Sequence, residues 1–269
     1  MTQALPDVLV DLPVWDADLG PDEISALEGL EGRLSYSFQR RELLRVALTV
    51  GSWANENREA GWPSNACLEF FGDAVLDLVA AHALWRRFPT LAEGALTRLR
   101  AALVREGALA PAAEQMGIGA CLWVGRGDEP EARSRAGTLA DAFEAVLGAV
   151  YLDARAAGRD PIQATEVVFA LCFGDRVMSM TPEEGIDPKS RLQQLVQSRH
   201  KRTPTYSQVG DPPPPHDPHW CVRVEVELVG GELWTLGEGE GRSLREAERA
   251  AARAALASWG DDDAHVDAG

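Results

Sequence analysis

Two acidic pairs stand out in this 269-residue chain. In CLEFFGDAVL, Glu69 and Asp73 are four residues apart; in TLADAFEAVLGAVYLD, Asp141 and Glu144 are three apart. On a helix such spacings put both side chains on one face, a turn apart. The surroundings are apolar, with Leu68, Phe70, Phe71, Val75 and Leu76 around the first pair and Leu139, Phe143, Val146 and Leu147 around the second. Carboxylates are expensive to bury there without compensation. A hard divalent cation supplies it, since Mg²⁺ prefers oxygen ligands and keeps several waters. Four carboxylates meeting between two packed helices could hold Mg²⁺ for phosphodiester hydrolysis. Spacing alone fits a second reading equally, in which these acids lie on solvated edges of amphipathic helices. Asp77, next in the row after Asp73, is read as solvated or helix-packing.

The elements that must position these acids are helical. From about Ala26 to Met178, apolar residues recur at threes and fours in EISALEGLEGRL, RRELLRVALTV, CLEFFGDAVLDLVAAHALWRRF, EGALTRLRAALV, EGALAPAAEQMG and TLADAFEAVLGAVYLDA. Gly, Pro and Asn punctuate the run. SMTPEEGIDPKS reads as a linker, and beyond it the pattern changes. SRLQQLVQSRH is helical, PTYSQVG is strand-like, and WCVRVEVEL alternates as a half-buried antiparallel strand does. Gly230-Gly231 marks a hairpin to ELWTLGEG, and SLREAERAAARAALASW is a closing helix with Ser243 as its N-cap.

The expectation is a mainly α protein: an all-helical catalytic domain, then a small α+β domain of order α-β-β-β-α. The expected divisions are an acidic, flexible extension over 1–25, a catalytic domain over 26–178, a linker over 179–186, a second domain over 187–260 and an acidic tail over 261–269.

Bulk properties narrow the class. Hydrophobic content of 45% and charged content of 25% suit a soluble globular chain with a sizeable core. No apolar run approaches the roughly 18–20 residues of a membrane span. The N-terminus lacks the basic start and apolar core of a secretory signal, so a cytoplasmic protein is expected. Cys67, Cys121, Cys172 and Cys221 are scattered, without zinc-ligand spacing, and read as free, mostly buried thiols. The net charge of −16 argues against a nucleic-acid binder, which is usually basic. It does not say where the charges sit, and a carboxylate cluster is acidic by construction. It lowers the expected affinity at physiological salt.

Several ordered motifs together resemble the bacterial ribonuclease III family. NACLEFFGDAVL looks like its first signature, N-E-x-L-E-F-L-G-D, and LADAFEAVLGAVYLD like its second, L-A-D-x-x-E-A-x-x-G-A-x-x-L-D. RRFPTLAEGALTRLRAALV and DPKSRLQQLVQSRHKRTPTY resemble the segments between and after them. The resemblance implies a double-stranded-RNA endonuclease with a C-terminal RNA-binding domain. Glu69, Asp141 and Glu144 are the implied metal ligands, Asp73 and Glu144 the active-site acids, and Glu93 a supporting acid. The implied cofactor is Mg²⁺, with Mn²⁺ as a substitute. The implied products carry 5′-phosphate and 3′-hydroxyl ends. The implied assembly is a homodimer burying an apolar helix face, with Phe70, Phe71 and Val75 as candidates, although each taken singly reads more readily as ordinary core. Ribosomal RNA precursors, with some messenger and small RNAs, are the implied substrates, and no other protein partner is inferable. In the RNA-binding domain the resemblance assigns Ser190, Gln193 and Gln194 to one minor groove, His216 to a second, and Arg245 to the phosphates between.

The sequence departs from the family at a few places. Ala66 and Cys67 replace a Glu and an Arg of the first signature, and Leu244 replaces a Lys of the phosphate clamp. The H-x-S element reads Val50-Gly51-Ser52, and the loop NENREAGWPSNA is longer than usual. Ala66, Leu244 and the acidic balance motivate an alternative, a double-stranded-RNA-binding protein with little or no cleavage. A third reading, a helical protein-interaction domain, requires the ordered motifs to be coincidence.

Overall fold

The computed structural model of the chain describes residues 20–128, 130–211, 213–214, 218–228 and 231–259. The first unit of the chain runs to Met180. Its helices are α1 (Pro21–Leu34), α2 (Arg41–Ala47), α3 (Gly51–Glu56), α4 (Ala66–Arg87), α5 (Glu93–Leu103), α6 (Glu106–Gln115), α7 (Ala136–Ala156) and α8 (Pro161–Ser179). The second unit holds α9 (Pro188–His200), β1 (Thr205–Gln208), β2 (Trp220–Glu227), β3 (Leu233–Gly241) and α10 (Leu244–Ser258). The expected order of helices followed by α-β-β-β-α is what forms. The extension before Gly20, the tail over 261–269 and Gly230 of the hairpin lie outside the described residues. No helix among the described residues is long and apolar enough to cross a membrane.

Two elements escape the periodicity reading. Helix α8 carries the run Val167 to Phe173, apolar on every side, so no stripe reveals it. Helix α3 lies where a loop continues the Val50-Gly51-Ser52 element. It is held by its side chains, because Ser52 Oγ accepts from Gly125 N at 3.1 Å and Glu56 Oε2 from Arg126 N at 2.9 Å.

Helix α7 is the axis of the first unit. Phe143, Val146, Leu147 and Val150 are at most 1% exposed, and α2, α4, α6 and α8 all pack against it. Its last turn is tied down by Asp153, which is fully buried. That carboxylate accepts from Tyr36 Oη at 2.8 Å, Gln39 N at 3.1 Å, Arg40 N at 2.8 Å and Arg159 Nη2 at 2.7 Å. A buried charge needs such satisfaction to be tolerated.

The contact between α4 and α7 is closer than side-chain packing allows. A methyl group on Gly72 would lie 1.8 Å from the carbonyl oxygen of Glu144, and one on Gly148 would lie 2.7 Å from that of Leu68. The two backbones touch, and only glycine at both positions permits it.

In the second unit the sheet is antiparallel in the order β1-β2-β3. Val222, Val224 and Val226 face inward, alternating as expected. Ala247, Ala251, Ala252 and Ala255 of α10 press on β3 so closely that a methyl on Gly239 would meet Ala251 N at 2.0 Å. The opposite face of the sheet is acidic. It carries Glu225, Glu227, Glu238 and Glu240, and Arg223 there is tied to Glu238 at 2.6 Å.

Gly72→Ala should force α4 and α7 apart. A loss of about 2–3 kcal/mol, the scale of core overpacking, is expected in urea unfolding of the full chain. Unchanged stability would contradict the backbone contact.

Candidate active site

The glycine crossing places the two acidic pairs together. Glu69 and Asp73 flank Gly72 on α4, and the carbonyl that Gly72 meets belongs to Glu144 itself. Asp141 lies one turn earlier on α7. Glu69 and Glu144 are partly buried, whereas Asp73 and Asp141 are exposed. The burial expected of all four therefore falls mainly on one pair of glutamates, at the rim of the helix contact.

Electrostatics report the convergence. Burial pushes the Glu144 carboxyl up to about 7, helped by the charges of Asp73, Asp141, Glu69 and Asp77. Burial also raises Glu69, with Asp141 and Asp73 adding to the effect. Asp141 is raised by burial and then by Glu106, the first residue of α6. Among the described residues none of the four acids accepts a hydrogen bond or pairs with a cation. Nor do any three His, Cys, Asp or Glu side chains, among the described residues, already converge as a cage. Asp153 sets the contrast, because a structural carboxylate here has every donor it needs. An all-oxygen set of mutually repelling, unpartnered carboxylates fits a hard divalent cation that keeps waters in its remaining positions.

The neighbouring apolar residues divide between core and surface. Phe71 packs edge-on against Tyr151 with ring centroids 5.3 Å apart, and Val75 is 4% exposed, so both belong to the core. Phe70 is 82% exposed. With Leu78 and Trp85, also exposed, it forms an apolar stripe along α4. Glu93 starts α5, exposed, and accepts from Thr97 Oγ1 at 2.8 Å. It is not among the charges that raise Glu69, Asp141 or Glu144. Cys67 is exposed and only Cys121 is buried, which corrects the expectation of mostly buried thiols; all four cysteines are free.

In the second unit Ser190, Gln193 and Gln194 are exposed on one face of α9, opposite buried Leu192 and Val196. Gln197 continues that face and was missed, although its spacing of seven from Ser190 signals it. Arg245 and Leu244 are exposed at the start of α10, where Ser243 Oγ accepts from Glu246 N at 3.2 Å. His216 lies outside the described residues. Glu106 and the glycine pair were also missed. A glycine inside a long helical pattern costs about 1 kcal/mol against alanine, and that cost is the signal of a packing reason.

A pH dependence follows from Glu144. Its folded value of about 7 lies above its ordinary 4.5. Between these values the folded chain holds a proton that the unfolded chain has released. Stability of the metal-free protein should therefore fall as pH rises from about 4.5 to about 7. Glu144→Gln should flatten that slope, leaving only what Glu69 and Asp141 add, and raise metal-free stability at pH 8 by about 1–2 kcal/mol after solvent screening. Urea unfolding with chelator across this range measures it, and parallel profiles for the two proteins would refute the assignment.

Comparison with known proteins identifies the family. Residues 40–167 match the family model described as ribonuclease-III-like, and residues 188–258 match the double-stranded RNA binding motif. Ribonuclease 3 of Geobacter metallireducens is 42% identical over 233 residues, covering 86% of this chain and 90% of that protein. Ribonuclease 3 of Dehalococcoides mccartyi is 41% identical over 232 residues, covering 86% and 93%. A solved nuclease domain of ribonuclease III from Campylobacter jejuni is 35% identical at a TM-score of 0.49, covering 55% of this chain and 96% of that one. Two family models in their expected order, with relatives matched over most of both lengths, show that the chain belongs to the ribonuclease III family.

Proposed function

We propose that this chain is a Mg²⁺-dependent endonuclease that hydrolyses phosphodiester bonds in double-stranded RNA, leaving 5′-phosphate and 3′-hydroxyl ends. Mn²⁺ substitutes for Mg²⁺. The observation that carries the reading is the unpartnered acid quartet at the glycine crossing, on a chain that also holds a double-stranded RNA binding motif. Processing of ribosomal RNA precursors, and of some messenger and small RNAs, in the cytoplasm is the role that fits.

Glu69, Asp141 and Glu144 would hold the cation. The chemistry it would supply there is a lowered pKa for water and compensation of charge building on the phosphate oxygens. Asp73, exposed on the next turn of α4, orients the attacking water. Glu144 is half-buried, so it works in a medium where charge interactions are stronger than in bulk water. Glu93 supports the scissile strand at the start of α5. In the second unit Ser190, Gln193 and Gln194 face a minor groove. Arg245 and the α10 N-terminus take phosphates, and His216 enters the second minor groove on the strength of the family resemblance alone.

Cutting both strands takes two sites, hence a two-fold homodimer. The α4 stripe of Phe70, Leu78 and Trp85 supports this reading, because exposed apolar patches mark interaction surfaces. A chain that binds double-stranded RNA without cutting it is the second reading, motivated by Ala66 in place of the family Glu.

Glu144→Gln should abolish cleavage of long double-stranded RNA while leaving its binding within about twofold, since the RNA contacts lie elsewhere. A gel assay with Mg²⁺ and with EDTA decides: near-normal turnover by the variant would falsify the site, and binding without cleavage by the parent would favour the second reading.

Phe70→Asp should weaken dimerisation at least about tenfold, the effect of losing a buried aromatic anchor. Light scattering of the full chain at micromolar concentration measures this, and a monomeric parent would remove the dimer.

A further inference from the structure

The acid row on α4 does not end at Asp73. Asp77 follows one turn later, so Glu69, Asp73 and Asp77 share a face. Unlike the quartet, Asp77 has a protein partner. Arg100 Nε on α5 stands 3.3 Å from Asp77 Oδ1, and the two side chains are 37% and 36% exposed. Helix α5 packs along α4, so this ion pair lies at the edge of the acid site.

We infer that Asp77 and Arg100 are a positioning pair that sets how tightly the acid site holds its cation. The inference rests on reading Glu69, Asp141 and Glu144 as cation ligands. Asp77 stands one turn beyond Asp73 on the face of α4 that carries the site, so it would add a further carboxylate to the row. Arg100 neutralises it from the α5 side. A site that must bind Mg²⁺ and still exchange water and phosphate works at intermediate affinity, and the pair tunes that affinity.

Such a pair makes a signed prediction that loosened packing does not. Arg100→Gln leaves Asp77 uncancelled and should tighten cation binding about two- to fivefold, the range for a partly exposed charge. Asp77→Asn frees the Arg100 charge and should weaken binding by a similar factor. The double variant should return to the parent value, and Arg100→Lys should hold it.

The measurement is Mn²⁺ binding to the full chain without RNA, followed by electron paramagnetic resonance. The Mg²⁺ concentration for half-maximal cleavage of long double-stranded RNA is a second readout, expected to move in the same directions. The inference is overturned if the two single variants shift binding the same way, or not at all, while the parent binds Mn²⁺ in a manner lost in Glu144→Gln. If Glu144→Gln binds Mn²⁺ as the parent does, the cation-site reading itself fails, and the pair's role fails with it.

Discussion

The backbones of α4 and α7 touch, and the site depends on that touch. A typical helix pair sits about 8–10 Å apart, held off by side chains. At Gly72 and Gly148 there are none to hold it off. The acids beside these glycines are thereby brought within each other's field, although none of them reaches for another. Placement by backbone contact has a mechanical advantage. Long acidic side chains can turn toward a cation while the positions they turn from stay fixed.

Two kinds of carboxylate occupy the same small domain. Asp153 is fully buried, holds four donors and ties the segment after α1 to the end of α7. Glu144, nine residues earlier on the same helix, is half-buried and has no donor among the described residues. Folding alone would satisfy both or remove one, because an uncompensated charge is destabilising. The contrast within one helix sets a carboxylate with a structural role beside one whose proposed role is chemical.

Much of this was legible in the sequence, for reasons particular residues make plain. Spacings of four and three place each acid pair on one helical face, and the alternation from Trp220 onward gives β2 directly. What a face meets is not local information. Phe70, Phe71 and Val75 look alike in sequence, yet only Phe70 is exposed, since that depends on which side of α4 receives α7. Glu106 reaches Asp141 from 35 positions away, and Arg100 reaches Asp77 across a loop. Helix α8 hid because an element apolar all round has no period to read. The acidic total weighed against a nucleic-acid partner because it counts charge over the chain and not over its faces.

Those faces have a consequence for how RNA arrives. The outer side of the sheet bears Glu225, Glu227, Glu238 and Glu240, while the exposed glutamines of α9 and Arg245 belong to the helical side. With RNA held on the helical side, as proposed, a duplex meeting the acidic side would be repelled through the same phosphates. Collisions would thus be sorted by orientation before any contact forms. Lower ionic strength sharpens the sorting as well as the attraction. The surplus of negative charge, a handicap for raw affinity, becomes a filter on the angle of approach.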